Sequence, residues 1–288
     1  MPATPATPTE ESTVRTTDGL SLHVETWRPP AGTKTLAAAV MVHGFSAHAG
    51  NYRHVAQQLA RAGIATWLYD SRGHGHSEGR RGFVRRFSDY SDDLALVLAA
   101  ARAGAPGLPV VLIGHSQGGT VALDYLTSAR QPVDALVLAT PWLALKMKVP
   151  AIKLVLSRLM GGIWPTLTMG NEIKPDQVSR NPEVIAGWKD DTLIHHVATP
   201  RWFNEVRAAQ ARIIASASPE ALKVPTLLLA AGDDRLVSTD ASLAFAQAVG
   251  PTVEVRTYPG LYHEIFLEPE RDAVMTDIAT WLTRRFAA

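Results

Sequence analysis

Pro109-Val-Val-Leu-Ile113, Gly114-His115-Ser116-Gln117-Gly118 and Gly119-Thr-Val-Ala-Leu-Asp-Tyr-Leu126 run together as one uninterrupted stretch. The first part is a short apolar run flanked by turn residues, the signature of a buried strand. The last part has the spacing of a helix. Between them stands G-x-S-x-G, which places a serine on a sharp strand-to-helix turn with its hydroxyl above the sheet edge. Small flanking residues suit a strained turn where the backbone packs closely. Gly75-His76-Ser77-Glu78-Gly79 fits the same five letters. No strand run leads directly into it, and Gly79-Arg80-Arg81-Gly82 is a poor helix start, so Ser77 reads as a loop serine and Ser116 as the nucleophile.

Working outward, apolar runs and helical patterns alternate. Val14–Thr17 and Leu20–Trp27 flank the hairpin signal Asp18-Gly19. Leu36–Val42, Ile64–Tyr69, Val110–Ile113 and Ala135–Ala139 are strand runs, separated by helical patterns over Asn51–Ala62, Phe87–Ala101 and Gln117–Ala129. The alternation stops at Pro141 and resumes near Val224 with Leu227–Ala231, Asp240–Val249, Thr252–Thr257 and an amphipathic Arg271–Phe286. Strands alternating with helices predict an α/β fold with a mostly parallel eight-stranded sheet covered on both faces. The expected division is a tail over residues 1–12, a core over 13–140 and 224–288, and a helical insertion over 141–223, after the sixth central strand and without strand runs of its own.

Composition narrows the function. The chain has 288 residues, 46 % hydrophobic and 19 % charged, which is ordinary for a globular protein and ample for a core. There is no cysteine, so disulfides and thiolate catalysis are excluded. With 28 basic and 27 acidic residues, no overall field draws nucleic acid. The opening MPATPATPT lacks the basic start and apolar run of an export signal, so a cytoplasmic location is expected. No HExxH occurs, and His74/His76 and His195/His196 have no matching carboxylate pattern, so neither a metal nor a cofactor is expected.

A serine needs an imidazole to take its proton, and the imidazole needs an orienting carboxylate. On a sheet of this kind they follow in the order serine, acid, histidine. Gly232-Asp233-Asp234-Arg235 follows one strand run and Tyr258-Pro-Gly-Leu-Tyr-His263 follows the next. His263 is therefore the base. Spacing leaves Asp233 and Asp234 both open as the acid. Other histidines, among them His23, His54, His195 and His196, read as capped or solvated surface groups. Acyl transfer also needs two donors for the oxyanion. The N–H of Gln117, next after the nucleophile, is one, and the N–H of Phe45, in the loop after Val40-Met-Val-His43-Gly44, is the other.

Together these residues resemble the α/β-hydrolase superfamily, and within it the monoacylglycerol lipase and lysophospholipase branch. The resemblance spans about Val14 to Phe286. It rests on His43-Gly44, Asp70-Ser-Arg-Gly-His-Gly-His-Ser-Glu-Gly79, Gly114-His-Ser-Gln-Gly-Gly119, Gly232-Asp-Asp-Arg-Leu236 and Tyr258-Pro-Gly-Leu-Tyr-His-Glu264, with Arg180-Asn-Pro-Glu-Val184 and Asp191-Thr-Leu-Ile-His-His196 resembling the branch's cap. It implies a serine hydrolase of carboxylic esters, acting on a small ester or monoacyl lipid, and it selects Asp234 over Asp233. Ser116 also argues against the dehalogenases and epoxide hydrolases of this fold, which use an aspartate nucleophile.

The sequence departs from the branch where glycerol would sit. The branch's His-Gly-x-Gly-Glu-His-x-x-Arg-Tyr is here His43-Gly-Phe-Ser-Ala47-His48-Ala-Gly-Asn51-Tyr52, and the cap tyrosine is replaced by Trp188. A broad carboxylesterase, or an amidase or perhydrolase with the same triad, is thus the alternative expectation, and a non-catalytic binding protein is disfavoured because all three triad members are kept. In the insertion, Ile152, Val155, Leu156, Leu159 and Ile163 repeat at three- and four-residue steps beside Lys146, Lys148, Lys153 and Arg158, with no acid between Leu143 and Met160. That is an amphipathic helix with a basic edge, suited to line an acyl channel and touch a lipid surface weakly. Expected pocket residues are accordingly His48, Trp142, Ile152, Leu156, Leu159 and Trp188.

Overall fold

The computed structural model describes residues 7–128, 130–146 and 149–287, without the Lys153 side chain. Residues 1–6 of the expected tail, Lys148 and the Lys153 side chain thus lie outside the described residues. The strands are β1 (Glu10–Arg15), β2 (Ser21–Trp27), β3 (Ala37–Val42), β4 (Ile64–Tyr69), β5 (Val110–His115) and β6 (Ala135–Ala139). The helices among them are α1 (Arg53–Arg61), α2 (Ser88–Gly104) and α3 (Gln117–Thr127). The insertion after β6 holds α4 (Ala151–Ile163), β7 (Met169–Gly170), α5 (Pro175–Val178), α6 (Pro182–Asp190), β8 (Val197–Ala198) and α7 (Pro200–Ala215). The chain closes with β9 (Thr226–Ala231), α8 (Thr239–Val249), β10 (Val253–Tyr258) and α9 (Arg271–Phe286).

The sheet runs β1-β2-β4-β3-β5-β6-β9-β10. Only the β1–β2 and β2–β4 pairings are antiparallel. Side chains alternate across a strand, so each face gathers its own layer. Ala38, Val40, Trp67, Leu112, Leu138 and Leu228 meet α2, α3, α7 and α8 on one face. Ala39, Met41, Leu68, Ile113, Val137 and Leu229 meet α1 and α9 on the other. Because both faces are covered, β3 to β6 and β9 read as continuous apolar runs.

The topology also fixes where a site must form. From β3 the chain moves to β4 on one side, while β5 pairs on the other. The strand order reverses there, and the loops leaving β3 and β5 part to open a crevice at the strands' C-terminal ends. Those loops carry Gly44-Phe45 and Ser116.

Two expectations need correction. Glu10–Ser12 belong to β1 and not to a tail, with Glu10 opposite Thr26 and Ser12 opposite Val24. An exposed edge strand is held by its ladder and needs no apolar face, so its polar sequence gives little signal. The insertion also contains a strand pair, β7 with β8, of two residues each.

Candidate active site

Ser116 sits at the turn between β5 and α3 with φ +52°, a left-handed conformation uncommon for a residue with a side chain. Its neighbours explain how the turn is held. A Cβ on Gly118 would lie 2.1 Å from the Val42 carbonyl oxygen, and one on Gly114 2.5 Å from the Gly118 oxygen. Only glycine fits either place, which accounts for the flanking residues of the motif. The Ser116 hydroxyl lies 2.8 Å from His263 Nε2, and His263 Nδ1 lies 2.7 Å from Asp234 Oδ2. All three are buried.

Asp234 stands in the loop after β9. Its other oxygen accepts the Leu236 and Val237 N–H groups at 2.8 and 2.9 Å. Burial works against its charge, but His263 and these amides outweigh it and hold the carboxyl below the usual range. Asp233 is exposed. Burial likewise disfavours the His263 imidazolium, yet the attraction of Asp234 outweighs it and raises the imidazole above its ordinary value. The His263 carbonyl is held by Thr140 Oγ1–H at 3.0 Å and by His115 Nε2 at 3.2 Å.

The loop after β3 lies against this group. A Cβ on Gly44 would sit 3.2 Å from the Ser116 Cβ. His43 Nδ1–H donates to the Gly44 carbonyl at 2.7 Å, and Nε2 accepts the Ser71 N–H at 2.9 Å. Burial lowers its pKa to about 4, so the ring is neutral at neutral pH and this pattern is the one it can make. Gln117 opens α3, where an N–H has no acceptor within the helix. The Phe45 ring stacks on Trp202 at 3.8 Å, and Gln117 Oε1 accepts the Trp202 indole N–H at 3.1 Å. One α7 side chain, Trp202, thus contacts both Phe45 and Gln117.

Above Ser116 and His263 opens a cavity of about 300 Å³, walled by Phe45, Trp142, Leu145, Val149, Trp188, Trp202, Phe203 and Leu236, with Asn171 and Gln177 among its few polar neighbours. Of the six expected pocket residues the cavity wall includes Trp142 and Trp188, and it does not include His48, Ile152, Leu156 or Leu159. His48 is drawn aside to Asp191 Oδ2 at 2.8 Å, where it ties the β3 loop to the insertion. Ile152, Leu156 and Leu159 are 64 %, 50 % and 56 % exposed and do not line the cavity. The reason is the opposite edge of α4. Ser157 and Asn204 of α7 bond reciprocally at 3.0 and 2.7 Å, and Gly161 lets them approach. The small, polar edge therefore packs inward and the apolar stripe faces out.

The glycine-rich loop around Ser77 is structural. Ser77 Oγ–H donates to the Asp70 carbonyl at 2.5 Å and accepts the His23 N–H at 2.8 Å. The Asp70 carboxylate accepts the Ala49 and His76 N–H groups at 2.6 and 2.7 Å. His195 is buried, not solvated, edge-on to Phe45 at 4.9 Å. Trp202, Phe203 and Asn171 were not expected in the wall; an aromatic at helical spacing signals a core residue just as well.

Residues 33–270 match the family model of the serine aminopeptidases, S33. The chain belongs to this family. Among curated relatives, this S33-family chain is 33 % identical to a monoacylglycerol lipase of Mycolicibacterium smegmatis, over 92 % of its length and 93 % of the relative's. It is 31 % identical to a phospholipase of Bacillus subtilis, over 86 % and 95 %. Among solved structures, the monoacylglycerol lipase of Paleococcus ferrophilus superposes with a TM-score of 0.82 at 26 % identity, covering 91 % of this chain and 98 % of that one. The architecture is that of the α/β-hydrolases.

Proposed function

We propose that this protein is a serine hydrolase that cleaves the carboxylic ester of single-chain lipids, monoacylglycerols or lysophospholipids, through an acyl-enzyme. The observation that carries the reading is the buried Asp234–His263–Ser116 hydrogen-bond chain opening into one apolar cavity. His263 Nε2 takes the proton of Ser116 as its oxygen attacks the ester carbonyl, and Asp234 stabilises the imidazolium that results. The Phe45 and Gln117 N–H groups receive the oxyanion. His263 then protonates the leaving alcohol, and water repeats the sequence to release the acid. A cavity of about 300 Å³ lies at the small end of ligand sites, which suits one acyl chain.

The names of the relatives, a monoacylglycerol lipase and a phospholipase, support a lipid ester. Head-group recognition differs. Ala47 is buried away from the cavity, and Asn51 is occupied by the His48 N–H and Asp191. This observation favours, as a second reading, a carboxylesterase with wide head-group tolerance. A site lacking paired polar groups for a hydroxyl discriminates weakly. The test is kcat/KM for glyceryl and methyl esters of one matched acyl chain. A glyceryl preference of at most about tenfold is expected; a hundredfold preference overturns the assignment of weak glycerol recognition.

The outward stripe of α4 adds a lipid surface to the reading. Ile152, Val155, Leu156, Leu159, Ile163 and Trp164 are all at least half exposed, and Pro150 and Ser157 of the same segment border the cavity. Such a stripe lies in the plane of a membrane interface and brings the cavity to its substrate. No helix among the described residues is long and apolar enough to cross a membrane.

A further inference from the structure

Beside His263, three buried titratable groups are linked and take no part in the steps above; one of them, Glu264, also borders the cavity. The Tyr52 hydroxyl oxygen lies 3.1 Å from His115 Nδ1 and 3.1 Å from both Glu264 oxygens. His115 Nε2 lies 3.2 Å from the His263 carbonyl oxygen. His115 and Tyr52 are wholly buried and Glu264 is 4 % exposed. Among the described residues no lysine or arginine pairs with the Glu264 carboxylate; a histidine, His115, lies within ion-pair distance, its Nε2 3.6 Å from Glu264 Oε2.

Counting hydrogens decides the state of this group. Three contacts need three hydrogens: one on Nε2 facing the carbonyl, one between Nδ1 and the tyrosine oxygen, and one between that oxygen and the carboxyl. A neutral histidine, a tyrosine and an ionised glutamate supply two. With two, a pair of buried acceptors must face each other, and a buried negative charge is left without a counter-charge. A third hydrogen removes both faults. Carried on Glu264, it makes a chain that donates from glutamic acid to Tyr52 to His115 Nδ1. Carried on His115, it makes an imidazolium that donates to Tyr52, which donates to the carboxylate. Either way Nε2–H donates to the His263 carbonyl and the net charge is zero.

We propose that His115, Tyr52 and Glu264 hold one proton in common and act as a neutral positioning unit for His263. The unit fixes the backbone of the base, with Thr140 as the second clamp, without placing a negative charge there that would compete with Asp234. The charged and titratable groups facing it are His263 and Asp234 in the site, His43 from the β3 loop and His54 from α1. The Phe266 ring packs edge-on to Tyr52 at 6.1 Å.

Heteronuclear NMR of the wild-type protein at pH 7 tests the proton directly, reading the His115 ring nitrogens and the Glu264 carboxyl carbon. Expected is either a doubly protonated His115 beside an ionised Glu264, or a protonated Glu264 beside a His115 protonated on Nε2 alone. An ionised Glu264 beside a neutral His115 overturns the proposal. Kinetics test the positioning. In Glu264→Gln the amide supplies the third hydrogen and no net charge is removed, so the acid limb of kcat/KM for a soluble ester should move by less than about half a pH unit. A larger downward shift means a negative charge was lost and overturns the proposal. Tyr52→Phe breaks the chain and should lower kcat at least about fivefold with KM nearly constant; an unchanged kcat contradicts a positioning role. The kinetic arm rests on the ester-hydrolase reading and the NMR arm does not, so a wild type inactive on esters would defeat that reading while leaving the proton measurable.

Discussion

Asp234→Asn separates the orienting role of the carboxylate from mere packing. In the wild type, Oδ1 accepts two backbone N–H groups, from Leu236 and Val237, while Oδ2 faces His263 Nδ1 at 2.7 Å. Asparagine can place its carbonyl in only one of these positions. Facing the two amides keeps two hydrogen bonds; facing His263 keeps one and sets an NH2 against two donors. The amide oxygen therefore takes the Oδ1 position, and its NH2 points at Nδ1. His263 must then accept there and carry its proton on Nε2, where it donates to Ser116 and cannot take the serine proton. Loss of the correct tautomer in such a site costs about 10⁴ in kcat, or about 5.5 kcal/mol of transition-state stabilisation. Turnover of a soluble short-chain ester, with circular dichroism and Tm to show that the fold persists, is the assay. The exposed Asp233→Asn is the control and should stay within about twofold. A loss below tenfold for Asp234→Asn, or equal losses at both positions, would refute the reasoning.

The base also predicts a pH dependence. His263 must be neutral to take a proton, and Asp234 raises its pKa despite burial. kcat/KM should therefore fall as pH drops through a midpoint above about 6.5; a midpoint well below that value contradicts the pairing. Gly118→Ala should cost about 3 kcal/mol or more, because its Cβ would lie 2.1 Å from a backbone oxygen, and lower Tm by roughly 6–12 °C. Gly187→Ala, in α6 with open space around it, should instead hold or raise stability by up to about 1 kcal/mol. Replacing Ile152, Leu156 and Leu159 together with serine should weaken binding to lipid vesicles by about two orders of magnitude, at about 1 kcal/mol for each half-exposed side chain. Unchanged vesicle sedimentation would remove the membrane role of α4.

The parts legible in the sequence are those where sterics or two-sided burial leave few alternatives. Gly114 and Gly118 mark a turn that excludes side chains, and the apolar runs of β3, β4 and β5 mark strands covered on both faces. Spacing alone could not separate Asp233 from Asp234, because both follow the end of β9. What separates them is the turn that offers the Leu236 and Val237 amides to one carboxylate only. The direction of α4 was not legible either. Periodicity shows that a helix has an apolar stripe but not what the opposite edge meets, which here is Asn204 of α7, bonded to Ser157. The same holds for His48, whose partner Asp191 lies 143 residues away, and for Trp202, which helical spacing marks only as buried.

Covalent capture of the nucleophile tests the central assignment most directly. A fluorophosphonate should attach to the intact protein with a stoichiometry of one, and peptide mass spectrometry should find it on Ser116. Ser116→Ala should fold, take up no label and lose nearly all ester hydrolysis. A label on Ser77, or full hydrolysis by Ser116→Ala, would contradict the account.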